Sequence, residues 1–190
     1  MVTNMKTSYE IQIAGVTRHL PLCRLNDELY IGAFVIFGDP ELTTACAEAM
    51  LAAAPEYDYI ITAESKGIPL AHEMARLAGN QKYFVARKKP KLYMTGVFEV
   101  SVHSITTEGE QKLYLDKADA ALMRGKRILI VDDVVTTGES LRAVEELVRA
   151  AEGNIVGRMC VLAEGDAQKR TNLQYLSPLP MFDKDGEPIR

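Results

Sequence analysis

Two adjacent carboxylates followed by a hydroxyl-rich turn are the strongest chemical signal in this sequence. Asp132 and Asp133 follow the strand-like run 127–131, which is apolar after Arg127, and the segment Thr136–Ser140, Thr-Thr-Gly-Glu-Ser, begins after two further residues. Open α/β sheets bind ligands at the carboxyl ends of their strands. Hydroxyls, a glycine and the free N–H groups of a helix N-terminus can cradle a phosphate, whereas paired carboxylates suit sugar hydroxyls or a hydrated Mg²⁺ ion. The pattern therefore predicts a site for a ribose 5-phosphate group.

Two further segments could bind a second anion. The predicted strand-to-helix turn Glu64–Gly67 combines a serine, a lysine and a glycine, which can aim backbone N–H groups and one cation at a ligand. The segment Arg87–Lys91 places four cations within five residues of a chain whose net charge is −4. Such segments are also found as ordinary solvated turns. Next to a predicted sugar-phosphate site, they indicate a pocket for a highly charged anion such as pyrophosphate.

Taken together, these segments resemble the type I phosphoribosyltransferases. The ten residues 131–140 resemble the phosphoribosyl-pyrophosphate (PRPP) motif, and residues 64–67 are similar to the pyrophosphate loop of the same family. Residues 87–92 resemble the Arg-Lys-x-x-Lys-Leu segment of the adenine enzymes, with Pro90 where those often have glycine. The resemblance covers roughly residues 39–165. Other common phosphate loops, G-x-x-x-x-G-K-[ST] and G-x-G-x-x-G, are absent from the chain.

The resemblance implies an activity. It identifies the chain as a purine phosphoribosyltransferase of purine salvage, a pentosyltransferase closest to the adenine enzymes. Such an enzyme transfers the 5-phosphoribosyl group from PRPP to a free purine base and releases pyrophosphate. The resemblance also implies a homodimer and Mg²⁺ bound with PRPP. That ion would reach Asp132 or Asp133 through water, without a direct side-chain ligand.

The resemblance further assigns roles to individual residues. The residues implied to be catalytic are Asp132, Asp133, Arg87 and Lys88. The residues implied to bind PRPP are Asp132, Asp133, Val134, Val135, Thr136, Thr137, Gly138, Glu139 and Ser140. The residues implied to bind pyrophosphate are Glu64, Ser65, Lys66, Gly67, Arg87, Lys88 and Lys91, with a cis or strained peptide between Glu64 and Ser65. The position of the hood in adenine enzymes suggests Phe34 and Val35 as base contacts.

The identity of the base is where the chain departs from the adenine pattern. Adenine enzymes usually carry a glutamate after a Tyr-Ser-Leu segment, whereas here residues 103–105, His-Ser-Ile, are followed by Thr106. That stretch is equally similar to xanthine phosphoribosyltransferases and to a PRPP-sensing purine repressor. The loop at 64–67, the basic segment and the tail at 176–180 favour adenine, which is the first choice. The alternatives are a 6-oxopurine, a non-purine base such as orotate, and a PRPP-binding regulator without turnover.

Positioning these segments requires alternating strands and helices, and the apolar pattern predicts them. The predicted helices are 39–54, 69–78 and one whose apolar face holds Leu141, Val144, Leu147, Val148 and Ala151. The predicted strands are 57–63, 82–87, 127–131 and 155–162. Such alternation is typical of βαβ units on a parallel sheet. We expect one α/β phosphoribosyltransferase domain over residues 1–190, with a parallel sheet flanked by helices around a Rossmann-like core.

Residues 1–38 and residues 92–118 do not follow this alternation. Residues 1–38 contain short strand-like runs and are expected to form a small hood or edge beside the core, which spans residues 39–165. Residues 92–118 alternate without a helical period, which predicts a long hairpin or a flexible flap. Residues 166–190 are expected to form a C-terminal strand and tail.

Composition limits the cellular setting and the partners. The net charge of −4 and the pI of about 5.5 do not favour binding to nucleic acid. The N-terminus lacks the apolar segment of a signal peptide, and no run approaches the roughly 18 apolar residues of a membrane span. Three cysteines without a C-x-x-C spacing are typical of a reducing compartment. We therefore expect a cytoplasmic protein that binds neither nucleic acid nor a membrane.

Overall fold

A computed structural model describes residues 6–103 and 110–189, in which strands and helices alternate over most of the chain. In chain order the elements are β1 (Ser8–Ile13), β2 (Val16–Arg24), β3 (Tyr30–Gly32), α1 (Pro40–Ala53), β4 (Tyr59–Ala63), α2 (Ile68–Leu77), β5 (Phe84–Ala86), β6 (Val97–His103), β7 (Glu110–Asp116), α3 (Lys117–Met123), β8 (Arg127–Val135), α4 (Glu139–Ala150), β9 (Asn154–Glu164), a 3-10 helix (Gly165–Lys169), β10 (Gln174–Leu179), β11 (Met181–Phe182) and β12 (Pro188–Ile189).

The central sheet is parallel, with the strand order β10-β9-β8-β4-β5. Along β8, Ile128 and Ile130 pack in one hydrophobic cluster with α4, whereas Leu129 and Val131 pack in another with α1 and α2. Successive side chains of a strand point to opposite faces, so an unbroken apolar run indicates a strand covered on both sides. The predicted α/β class with helices on both faces of a parallel sheet is confirmed.

The first helix begins where the sequence predicts. Asp39 caps α1, because its Oδ1 accepts a hydrogen bond from the backbone N–H of Leu42 at 3.1 Å, and Pro40 occupies the first helical position. The helix ends at Ala53, before Pro55.

At 14 residues α1 is the longest helix in the described part of the chain, and none of the helices there is both long and apolar enough to cross a membrane.

A second sheet, which we call the hood, is formed from both ends of the chain in the order β1-β2-β3-β11-β12. Met181 in β11 pairs with Ile31 in β3 in antiparallel register. The sequence pattern predicts a hood from residues 1–38 and a C-terminal strand and tail, and it does not indicate that β11 and β12 join the hood. Arg18 in β2 connects the hood to the core through hydrogen bonds of 2.7 and 2.9 Å to the carboxylate of Asp39.

Strands β6 and β7 pair in antiparallel register, from Val97 opposite Asp116 to His103 opposite Glu110. The sequence predicts a long hairpin or a flexible flap for residues 92–118, and the described part of this segment forms a hairpin. The hairpin ends at Asp116, before the predicted limit at residue 118, because α3 begins at Lys117. The side chain of Asp116 caps this helix by accepting a hydrogen bond of 2.9 Å from Ala118 N. Residues 104–109, and with them Thr106, lie outside the described residues.

Candidate functional site

A cavity of about 310 Å³ lies at the carboxyl ends of the neighbouring strands β4 and β8. Its lining contains all nine residues predicted for PRPP, together with Glu64, Ser65, Lys66 and Lys88 from the predicted pyrophosphate set. The lining residues that were not predicted are Ala63, Gln111 and Leu141. Gly67, Arg87 and Lys91 lie outside the lining but next to residues within it. The cavity therefore brings together segments that are far apart in the sequence.

Strand β8 extends through both carboxylates to Val135, four residues beyond the predicted end at Val131. The pairing of Val135 with Ala163 in β9 continues the sheet to this point. The backbone N–H of Asp133 donates a hydrogen bond of 2.9 Å to Oδ1 of Asp132. Because the two carboxylates are part of a central strand, the sheet determines their positions.

The carboxylate of Asp133 is buried, and its Oδ2 accepts no hydrogen bond from the residues that the structure describes. Lys66 Nζ lies 3.2 Å from this oxygen, an ionic contact without hydrogen-bond geometry. A buried acceptor without a donor is unfavourable, by about 1 to 3 kcal/mol. Sugar hydroxyls or the water molecules of a hydrated cation could donate to it.

The neighbouring carboxyl, Asp132, has a raised pKa of about 7. Burial contributes most, and the negative charge of Asp133 adds to it, whereas Lys66 acts in the opposite direction. Two adjacent carboxylates in a partly dehydrated site cannot both ionise easily. A positively charged or hydrogen-bond-donating ligand would relieve this repulsion.

The loop after β4 packs directly against Asp132, and a glycine is required for this contact. A side chain at Gly67 would begin 2.2 Å from Oγ1 of Thr62, which is too close for a carbon atom, and it would also be in tight contact with Oδ1 of Asp132, at 3.1 Å. In the same loop, the peptide between Glu64 and Ser65 is cis, which confirms the prediction.

Glu64 faces the basic segment. Its Oε2 accepts a hydrogen bond of 3.0 Å from the backbone N–H of Lys88, and its Oε1 lies 3.4 Å from both Arg87 Nη2 and Lys91 Nζ. The hydrogen bond from Lys88, with these two cations, lowers the pKa of the Glu64 carboxyl. A carboxylate would repel an anionic ligand, so this arrangement fits a role in holding the basic side chains.

The basic segment retains hydrogen-bonding capacity for an anion. Arg87 Nε is buried without an acceptor among residues 6–103 and 110–189, and Lys88 lines the cavity. The backbone of Arg87 is held in place by two hydrogen bonds with Tyr114 of β7, of 2.9 and 2.8 Å. An anion with several oxygens would supply the missing acceptor.

The hydroxyls of the turn after β8 are not equivalent. Thr136 Oγ1 donates to Oε2 of Glu164 at 2.9 Å, so its proton is not available to a ligand. Thr137 Oγ1 accepts a hydrogen bond of 3.4 Å from the backbone N–H of Glu139, which leaves its own O–H as a donor. Gly138 follows with φ +80°, in the left-handed region that favours glycine. Thr137 and Ser140 are thus the hydroxyls suited to a phosphate.

Sequence reasoning did not identify Glu164, Gln111 or Arg170 near the site. Glu164 ends β9, the strand beside β8, so the rule that ligands bind at strand carboxyl ends could have suggested it. Gln111 reaches the cavity from β7, and Arg170 packs against Gly138. No local pattern marks these two residues.

The two predicted base contacts lie apart from the cavity lining. Phe34 is part of the hydrophobic cluster between the hood and the core. Val35 is 56% exposed. Neither residue lines the cavity.

The carboxylates near the cavity could support a metal ion but not enclose it. Within residues 6–103 and 110–189, no group of three or more His, Cys, Asp or Glu side chains is arranged to hold a metal. Mg²⁺ in such sites typically keeps several water molecules and is held by one or two carboxylates and by phosphate oxygens. Asp132 and Asp133 fit that kind of site.

Comparisons with known proteins agree with this geometry. The phosphoribosyl transferase domain matches residues 41–177. A hypoxanthine/guanine phosphoribosyltransferase from Methanococcus voltae is 36% identical over 113 residues, 60% of this chain and 56% of the relative. The chain therefore spans little more than half of that relative's length. A xanthine phosphoribosyltransferase from Lactobacillus helveticus is 30% identical over 158 residues, 78% of this chain and 81% of the relative.

Among solved structures, an adenine phosphoribosyltransferase from Thermoanaerobacter pseudethanolicus has a similar fold. Its TM-score is 0.63 at 21% identity, with 75% of this chain and 84% of that chain covered. At this level of identity the likeness concerns the fold.

Proposed function

The chain belongs to the phosphoribosyl transferase domain family, and we propose that it is a purine phosphoribosyltransferase that uses PRPP and releases pyrophosphate. The observation that carries this proposal is the buried Oδ2 of Asp133, an acceptor without a hydrogen-bond donor in the described chain. It lies in a cavity that also contains the hydroxyl-rich turn before α4. A ribose 5-phosphate group has hydroxyls for the first feature and a phosphate for the second.

Each part of PRPP has a matching part of the cavity. The 5-phosphate would bind at Thr137–Ser140, where hydroxyls lie next to the N-terminus of α4. The ribose hydroxyls would donate to Asp132 and Asp133. The pyrophosphate would lie between the loop at 64–67 and the basic segment, where Arg87 Nε lacks an acceptor in the described chain.

We also propose that Mg²⁺ accompanies PRPP. Asp132 and Asp133 would hold it through water, and it would neutralise charge on the leaving pyrophosphate. The raised pKa of Asp132 is consistent with a position prepared for a cation, because the repulsion between the two carboxyls falls when positive charge binds near them.

The chemistry requires positioning and charge neutralisation more than covalent participation by the protein. Departure of pyrophosphate from C1 of the ribose passes through a transition state resembling an oxocarbenium ion, as in glycoside hydrolysis. Arg87 and Lys88 would neutralise the departing charge, while the turn before α4 would hold the phosphate end. The β6–β7 hairpin, which contributes Gln111 to the cavity, would exclude water that could hydrolyse the activated sugar.

Two bases are candidates. Adenine is favoured by the motifs at 64–67, 87–92 and 176–180. A 6-oxopurine is favoured by the relatives that are 30% and 36% identical, which are named for xanthine and for hypoxanthine/guanine. We rank the 6-oxopurines first, because the adenine enzyme from Thermoanaerobacter pseudethanolicus is only 21% identical to this chain, so that its likeness concerns the fold.

Initial rates of pyrophosphate release test the proposal and the base together. PRPP and Mg²⁺ are supplied with adenine, hypoxanthine, guanine, xanthine or orotate in turn. Adenine and 6-oxopurines present opposite donor and acceptor patterns at N1 and at the 6-position, so kcat/KM should differ by up to about 10⁴-fold. We expect a 6-oxopurine to be fastest. A faster rate with adenine would reverse the ranking, and binding of PRPP without release for any base would support a regulatory protein.

A further inference from the structure

Arg170 lies against the turn proposed to bind the 5-phosphate, although it follows β9 and the 3-10 helix. A methyl group at Gly138 would lie 2.2 Å from Arg170 Nη1 and 3.2 Å from Cζ. The guanidinium therefore occupies the space beside Gly138, the residue immediately before α4. Its Nε is buried without a hydrogen-bond acceptor in the part of the chain that the structure describes.

The charge of Arg170 is only weakly neutralised. Its Nη2 is 4.0 Å from Oε1 of Glu145, and Arg158 Nε lies closer to the same oxygen, at 2.6 Å. Arg149 also contacts Glu145, at 3.1 Å, and pairs with Glu146 at 2.6 Å. The buried Glu145 and the half-exposed Glu146 are thus the carboxylates that pair with these three arginines. Arg170, with the longest of these contacts, carries the charge that is least compensated.

We propose that Arg170 is a positioning residue for the phosphate end of PRPP, supporting the turn at Gly138 and supplying it with positive charge. The inference rests on the proposed function, since it assigns the phosphate to this turn. The position fits the electrostatics, because the N–H groups at the start of a helix attract an anion and an adjacent cation increases that attraction.

Substitution of Arg170 should weaken phosphate binding without changing the chemical step. Loss of a charged interaction in a partly buried site costs roughly a factor of ten in affinity. We expect Arg170→Gln to raise the Kd for ribose 5-phosphate and the KM for PRPP by about tenfold. The kcat at saturating PRPP should stay within about twofold of the wild-type value, because the reacting C1 and the pyrophosphate lie away from this turn.

Arg149→Gln is the matched control. This variant also removes one positive charge that contacts Glu145. Arg149, however, lies eleven residues beyond Gly138, about 16 Å along the helix axis. Arg170→Lys is the second variant, since it keeps the charge and loses the planar guanidinium. We expect ribose 5-phosphate to bind Arg149→Gln with the wild-type Kd, and Arg170→Lys within about threefold of it.

Isothermal titration calorimetry of the full wild-type chain and its variants with ribose 5-phosphate and with PRPP–Mg²⁺ distinguishes the outcomes. Circular dichroism checks that each variant is folded. A wild-type Kd for Arg170→Gln overturns the inference. Equal weakening of Arg149→Gln and Arg170→Gln also overturns it, because net charge would then explain the effect. If Arg170→Gln does not fold, more than tenfold weaker binding by a folded Arg170→Lys overturns the role of charge. Failure of the wild-type chain to bind either ligand instead rejects the proposed function.

Discussion

Lys66 Nζ lies 3.2 Å from Oδ2 of Asp133, and this contact joins the loop after β4 to the central strand β8. The lysine is about half exposed, whereas the carboxylate is almost fully buried. The buried Oδ2 therefore lies beside one half-exposed cation and accepts no hydrogen bond within the described chain. Such a carboxylate is costly for stability, so its presence at the carboxyl end of a central strand is best explained by a ligand.

The first prediction concerns both strand carboxylates. Asp132→Asn combined with Asp133→Asn should lower kcat/KM for PRPP by about 10²-fold or more, the usual effect of losing positioned charged contacts in an active site. The fold should persist, because removing two adjacent negative charges relieves repulsion. Pyrophosphate-release kinetics and chemical denaturation measure the two effects. Asp166→Asn, at an exposed carboxylate paired with Lys169, is the control. Near-normal kinetics in the double variant would contradict the ribose assignment.

The second prediction is a pH dependence that arises from Asp132. Its pKa is raised in the folded protein to about 7 from an ordinary value of 3.8, so the folded state favours the protonated form. The corresponding stability is present at low pH and is lost as the pH rises through about 4 to 7. The free energy of unfolding of the ligand-free wild type should therefore fall more between about pH 5 and about pH 8 than that of Asp132→Asn.

Urea denaturation at a series of pH values measures this difference. Asp166→Asn again serves as control, since its carboxyl is exposed and its pKa is lowered by Lys169. Parallel pH profiles for the wild type and Asp132→Asn would show that Asp132 titrates normally.

The third prediction is steric. Gly67→Ala places a methyl group 2.2 Å from Oγ1 of Thr62 and should destabilise the protein by about 1 to 3 kcal/mol, the usual cost of overpacking. It should also displace the loop from Asp132. Thr62→Ala removes the clashing oxygen, so Gly67→Ala should cost less in the Thr62→Ala background. A double-mutant cycle of unfolding free energies measures this coupling, and strict additivity would show that the clash is relieved elsewhere.

The fourth prediction separates two adjacent threonines. Thr136→Val removes the donor to the buried Glu164 and should lower stability by about 1 to 3 kcal/mol, with little direct effect on phosphate binding. Thr137→Val should change stability less and raise the KM for PRPP, because this hydroxyl keeps its proton for a ligand. Each variant is the control of the other, measured by denaturation and by steady-state kinetics. If Thr136→Val raised the KM for PRPP more than Thr137→Val and lowered stability less, the Thr136–Glu164 hydrogen bond would have to open when PRPP binds.

The sequence by itself determined the local units of this protein. The start of α1 follows from Asp39 and Pro40, whose effects act within one turn of the helix. Strand β8 follows from the apolar run at 128–131, and α4 follows from apolar residues spaced along one helical face. The turn between them could therefore be predicted as a candidate phosphate site before any tertiary contact was known. The point where β8 ends and the turn begins could not be predicted, because Asp132 and Asp133 join the strand only through pairing with β9.

Tertiary structure alone decided which distant residues complete the site. Glu64 meets Arg87 and Lys91 because β4 lies beside β5, Thr136 meets Glu164 because β9 lies beside β8, and the hood closes through pairing of β11 with β3. Arg170 reaches Gly138 in the same way. Such contacts join elements whose individual patterns are complete without each other. Their pairing depends on the packing free energy of the whole sheet and its two hydrophobic clusters, which no local periodicity records.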